Sequence, residues 1–177
     1  MKAVALISHC FLFMNTRFKN KLTKSITFHI KTTNNSIMDK SSDCLYCQRN
    51  ELQKSLMIEI CDLTVSTLFL FKEQSYPGRC VVAYKDHVKE LFELSDADRD
   101  AFMKDVCQVA AAMQKAFTPA KINYGAYSDK LPHLHFHLVP KQEGGLSFGG
   151  TFEMNPQKTY LSDIEYADTI EKIVKAL

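Results

Sequence analysis

The chain has 177 residues, 46% of them hydrophobic, and a formal net charge of +2. That is one domain with an appendage, long enough to bury a substantial core, and no apolar run reaches the roughly 18–20 residues that span a bilayer. The charge is uneven: residues 1–37 hold Lys2, Arg17, Lys19, Lys21, Lys24 and Lys31 and no acid, which leaves −4 of the formal +2 on residues 38–177 and argues against general nucleic-acid binding.

The acid-free stretch 1–37, rich in Ser, Thr and Asn, reads as a basic leader. It is a targeting segment, a disordered arm or a mispredicted start, with the working domain over 38–177. A genuine leader would address an organelle such as the mitochondrion. Without it, six scattered cysteines fit a reduced, cytoplasmic setting better than a disulfide scaffold. Cys44-Leu45-Tyr46-Cys47 has the C-x-x-C spacing of both redox pairs and zinc sites, and a zinc site would need two more ligands from elsewhere in the chain.

Strands are expected over 56–61, 65–71 and 79–84, with Asp62-Leu63-Thr64 turning the first into the second and Pro77-Gly78 marking the loop before the third. His87 follows the third strand, and a lone histidine there reads as a polar cap unless something pairs with it. Ser95 opens a helix whose apolar face is Phe102, Val106, Val109, Ala110, Met113 and Phe117, and Thr118-Pro119 stops it. A strand over 121–127 leads by a short link to the next. After Pro140, Gly144-Gly145 and Gly149-Gly150 suggest a flexible loop. Ser162 to Glu165 is a capping box for a last helix with Ile164, Ala167, Ile170, Ile173 and Val174 as its apolar face. The order of elements gives an α+β class, with helices on one face of an antiparallel sheet.

The most informative stretch is Pro132-His133-Leu134-His135-Phe136-His137-Leu138-Val139-Pro140, which carries three of the six histidines. Side chains alternate along a strand. His133, His135 and His137 therefore share one face and Leu134, Phe136 and Leu138 the other, and the two prolines suggest a strand of about seven residues between them. Three imidazoles in strict alternation each need a partner and add little packing. Two chemistries remain open: metal ligation by neutral histidines, or a nucleophilic histidine flanked by two that bind an anion.

His133 to Val139 resembles, at every position, the motif of the histidine triad family, in which histidines alternate with apolar residues and two apolar residues follow. The likeness extends over the order of elements from about Cys44 and includes Lys121-Ile122-Asn123-Tyr124-Gly125, similar to the family's asparagine-bearing strand. The resemblance implies a five-stranded antiparallel sheet, a homodimer, and a nucleotide hydrolase similar to those acting on diadenosine polyphosphates or adenylyl-amidates. It implies His135 as nucleophile at the α-phosphorus, His137 and His133 as phosphate-positioning groups, and Asn123 as a nucleotide contact. It also implies a structural zinc on Cys44, Cys47, His87 and His133, with no metal required for the chemistry. Two departures stand out. Ser128-Asp129-Lys130-Leu131-Pro132 replaces the family's Gly-Gln-Ser-like segment, and Phe71-Lys72-Glu73 offers no clear acid for the ribose. A noncatalytic nucleotide- or zinc-binding module is the alternative.

Overall fold

The computed structural model describes residues 44–177, so the expected leader over 1–37 and the domain start at Met38 lie outside the described residues. Two short helices, α1 (Leu45–Gln48) and α2 (Glu51–Leu56), lead into the strands β1 (Met57–Asp62), β2 (Ser66–Phe71) and β3 (Cys80–Tyr84). Helix α3 (Asp96–Phe117), strands β4 (Lys121–Gly125) and β5 (His135–Lys141), and helix α4 (Asp163–Ala176) complete the order. The five strands form one sheet in the order β1-β2-β3-β5-β4, every pair antiparallel. The C-terminal histidine strand is thus inserted between β3 and β4.

Alternation divides the sheet into two faces. Leu68, Leu70, Cys80, Val82, Tyr84 and Leu138 pack with Phe102, Val106, Val109 and Met113 of α3 and Ile170, Ile173 and Val174 of α4. This is the main core, and both long helices lie on it. Each such side chain contributes on the order of 1.5–3 kcal/mol when fully buried. The opposite face carries Met57, Phe69, Phe71, Val81 and Ala83, roofed by Leu45 and Tyr46 of α1. All residues of β2 and β3 are therefore buried, and the histidine face is partly dry.

Helix boundaries follow their caps. The Ser95 side chain accepts from the Asp98 amide, and Thr118 closes α3 in the left-handed region at φ 45° just before Pro119. The capping box at Ser162 and Glu165 is complete. Ile164, however, is 74% exposed. Tyr166 takes its place on the buried face because its ring packs on the core while its hydroxyl donates to the Lys72 carbonyl at 2.7 Å.

Two loop expectations change. The triad strand begins at His135 and runs through Pro140 rather than ending before it. Pairing with β3 stops at Leu138 while Ile122 of β4 still faces Pro140, so β5 has become an edge there and a residue without an N–H is accommodated. The glycine-rich segment is not a free loop. Lys141, itself buried, donates from Nζ to the Ser147 and Gly150 carbonyls at 2.6 and 2.7 Å, which brings Phe152 down onto Val139 and Tyr76.

Candidate active site and metal centre

His135 and His137 lie on β5 opposite Ala83 and Val81 of β3. The small Ala83 leaves room above His135, and Tyr46 of α1 fills it, its ring 4.8 Å from that of His135 and 4.9 Å from that of His133. A cavity of about 660 Å³ opens over the two histidines. Phe71, Tyr127 and Phe152 form much of its wall, with Lys130, Asp129 and Asn155 among its polar residues. The volume falls in the range of pockets that enclose small organic ligands, roughly 300–1,000 Å³.

The ring nitrogens have distinct partners. His135 Nδ1 lies 2.6 Å from the His133 carbonyl, which can only accept, so Nδ1 carries the proton and Nε2 presents a lone pair. Burial pushes the His135 pKa below its ordinary value, keeping the ring neutral. His137 Nδ1 lies 3.2 Å from Nη2 of Arg79. Burial first, then the Arg79 charge, pushes His137 down to about 2.

His133 faces elsewhere. Its Nε2 is 2.8 Å from the Tyr84 carbonyl and must donate to it, so Nδ1 is the free lone pair. That lone pair points at Cys44 Sγ, 3.4 Å away, and Cys47 Sγ, 3.7 Å away, while His87 Nδ1 is 3.4 Å from Cys47 Sγ. The four donor atoms all lie within 4.8 Å of one another. In a tetrahedral site with bonds of about 2.3 Å to sulfur and 2.0–2.1 Å to nitrogen, the sulfur–nitrogen edge is about 3.6 Å. The three contacts between Cys44 or Cys47 and the histidine Nδ1 atoms, at 3.4, 3.4 and 3.7 Å, are close to that edge, and the backbone acceptor behind His133 fixes the tautomer a metal needs. His87 is thus no lone cap; α1 and the end of β3 bring it to the cysteine pair.

Asn123 lies on β4 opposite Val139, two pairs beyond Gly125 and His137, which puts it on the histidine face. Phe152 packs over Val139, and the asparagine in the cavity wall is Asn155. Ser128 donates to the His133 carbonyl at 3.3 Å, and the following residues, Asp129 and Lys130, reach the cavity. Glu73 is buried, accepting from the Ser75 and Thr159 amides, and is turned from the cavity. Sequence reading missed Arg79, Tyr46 and Phe152. A cation opening an apolar strand straight after a Pro-Gly turn was the available signal for Arg79; the other two look like ordinary aromatic residues until the fold assembles them.

A sheet of this order with neighbouring histidines under a cavity defines an α+β protein of the histidine triad type. Residues 57–144 match the HIT domain, and the chain belongs to the histidine triad family. The adenosine 5'-monophosphoramidase of Schizosaccharomyces pombe is 23% identical over 125 residues, 65% of this chain and 89% of the relative. A histidine triad protein from Sinorhizobium meliloti superposes with a TM-score of 0.67 at 24% identity, covering 72% of this chain and 95% of that one. A zinc-bound histidine triad family protein from Mycobacterium smegmatis does so with a TM-score of 0.54 at 18% identity, covering 76% and 92%.

Proposed function

We propose that the protein hydrolyses nucleotides at the α-phosphorus, acting on phosphoric anhydrides such as dinucleoside polyphosphates or on adenylyl-amidates, through a covalent nucleotidyl-histidine on His135. The observation that carries this reading is the His135 tautomer: with Nδ1–H held by the His133 carbonyl, the Nε2 lone pair is the free end of a neutral imidazole on a cavity wall. The Nε2–Pα bond forms as the bond from Pα to the leaving group breaks. Water then attacks Pα, the N–P bond breaks, and the nucleoside monophosphate leaves. His137 borders the same cavity as a hydrogen-bond donor for the phosphate, and Lys130 supplies a cation at the rim. Phe71, Tyr127 and Phe152 offer rings on which a base can stack. Asn123 is proposed as a support for the nucleotide-binding face.

Cys44, Cys47, His87 and His133 would hold zinc, whose chemistry there is to tie α1 to the strand ends with a closed coordination shell. In that arrangement His133 acts through its backbone: its carbonyl orients His135 while its ring stays with the cysteines.

Intact-protein mass spectrometry of the enzyme mixed with an adenylylated substrate and quenched without acid tests the reading. Wild type should show a transient adduct of one nucleoside monophosphate. His135→Ala should show none and lose turnover by roughly 10⁴-fold or more while keeping its fold. Turnover retained by His135→Ala would reject the mechanism, and nucleotide binding without adduct or turnover in the wild type would favour a noncatalytic nucleotide-binding module.

A further inference from the structure

Behind His137 lies a cation that the scheme above does not use. Arg79 is fully buried. The Pro77-Gly78 turn aims it: Gly78 sits at φ +84°, a Cβ there would strike the Phe117 ring at 2.5 Å, and its amide donates to Gln74 Oε1 at 2.7 Å. The guanidinium stacks over Phe71 at 4.1 Å and faces Phe152 at 5.4 Å. Nη1 lies 3.8 Å from the buried Glu73 carboxylate, and Nη2 lies 3.2 Å from His137 Nδ1.

A guanidinium has donors only. Burial lowers its pKa to about 10, with Glu73 opposing the shift, so it stays charged near neutrality. The contact therefore requires an unprotonated Nδ1 on His137, and a neutral ring then carries its proton on Nε2. A charged His137 would set two cations and two N–H groups against each other in a dry site. The other titratable groups near the ring are His135, at 5.2 Å between centroids, with Asp129 and Lys130 on the shared cavity; Phe71 and Phe152 are apolar.

We infer that Arg79 is a positioning residue that fixes His137 as a neutral Nε2–H donor, so that His137 meets the phosphate with a hydrogen bond. The inference rests on the hydrolase reading for its chemistry but not for its geometry. Arg79 contacts His137 from the residue just before the neighbouring strand β3, and the Glu73 carboxylate lies on the other side of the guanidinium.

Side-chain ¹⁵N NMR of the wild-type protein reads the tautomer directly. The expected result is one His137 signal pattern, with Nε2 protonated and Nδ1 accepting, unchanged between about pH 5 and 8. A protonated Nδ1, or a ring that charges in that interval, overturns the inference. The double variant E73Q/R79M removes the cation and its counter-charge together, so that no carboxylate is left buried and unpaired. It should show mixed tautomers and a kcat lowered by roughly 10- to 100-fold, as for loss of other orienting hydrogen bonds, with KM within about 3-fold. A double variant that keeps both the tautomer and kcat overturns the inference. A variant that fails to fold leaves the wild-type spectrum as the deciding measurement. Absence of turnover in the wild type would reject the hydrolase reading alone, because the spectrum judges Arg79 without any substrate.

Discussion

His133 shows how one side chain can serve a neighbour. Its ring is engaged by the Tyr84 carbonyl and the two cysteine sulfurs, and its own carbonyl takes the proton-bearing nitrogen of His135. Disturbing the cysteines should therefore reach His135, the nucleophile proposed above, through the His133 backbone. The double substitution Cys44→Ser with Cys47→Ser is expected, by metal analysis, to abolish the zinc binding proposed for this cluster. It should also lower the melting midpoint by roughly 10 °C, which corresponds to about 3 kcal/mol in a domain of this size. Turnover should fall as well, although neither cysteine borders the cavity. A variant that retained both midpoint and turnover would separate the cysteine cluster from the site.

Among elements, α3 does more than cover the sheet. Asp105 points from its buried face into the turn between β1 and β2. It is fully buried and accepts from the Thr64 amide at 3.2 Å, the Val65 amide at 2.9 Å and the Ser66 hydroxyl at 2.7 Å. This carboxylate pins the first hairpin to the helix. Asp105→Ala would leave three donors without their acceptor and should destabilise the protein by about 2–4 kcal/mol in urea unfolding. The folded fraction should keep its turnover, because the turn is remote from the histidine face. An unchanged midpoint would mean that the turn finds water at no cost. The helix pattern showed Phe102, Val106 and Val109 as a core stripe and gave no sign of a role for Asp105 beside them; only the approach of the turn makes it a partner.

For the molecule as a whole, the half-dry histidine face links acid stability to the site. His135 and His137 are held neutral when folded, with His137 pushed down to about 2, whereas in the unfolded chain both titrate near 6.5. Below about pH 6.5 the unfolded state therefore binds more protons, and stability falls as pH falls. Between pH 6.5 and 5.5 these two groups should together remove up to about 2 kcal/mol, while stability above pH 7 should be nearly flat in their contribution. Urea midpoints at pH 7.5, 6.5 and 5.5 check the sign. A midpoint that rises on acidification would place the histidines in a solvated or ion-paired setting instead.

The alternation of His133, His135 and His137 with Leu134, Phe136 and Leu138 determined the strand's working and core faces, because side-chain direction on a strand is a local property with a period of two. Caps at Ser95 and Ser162 likewise determined where the long helices begin, since each cap bonds its own first turn. Which nitrogen of His133 and of His137 is free was decided only by tertiary structure, because the Tyr84 carbonyl, the cysteine sulfurs and the Arg79 guanidinium come from sequence-distant elements, whereas His135 takes its tautomer from the His133 carbonyl two residues away. The same holds for Tyr46 over His135 and for Phe152, which the Lys141 ammonium draws onto the site through two carbonyls. Chemistry on this chain depends on tautomers and burial, and apart from the His135 tautomer these are set by contacts between elements that no local pattern encodes.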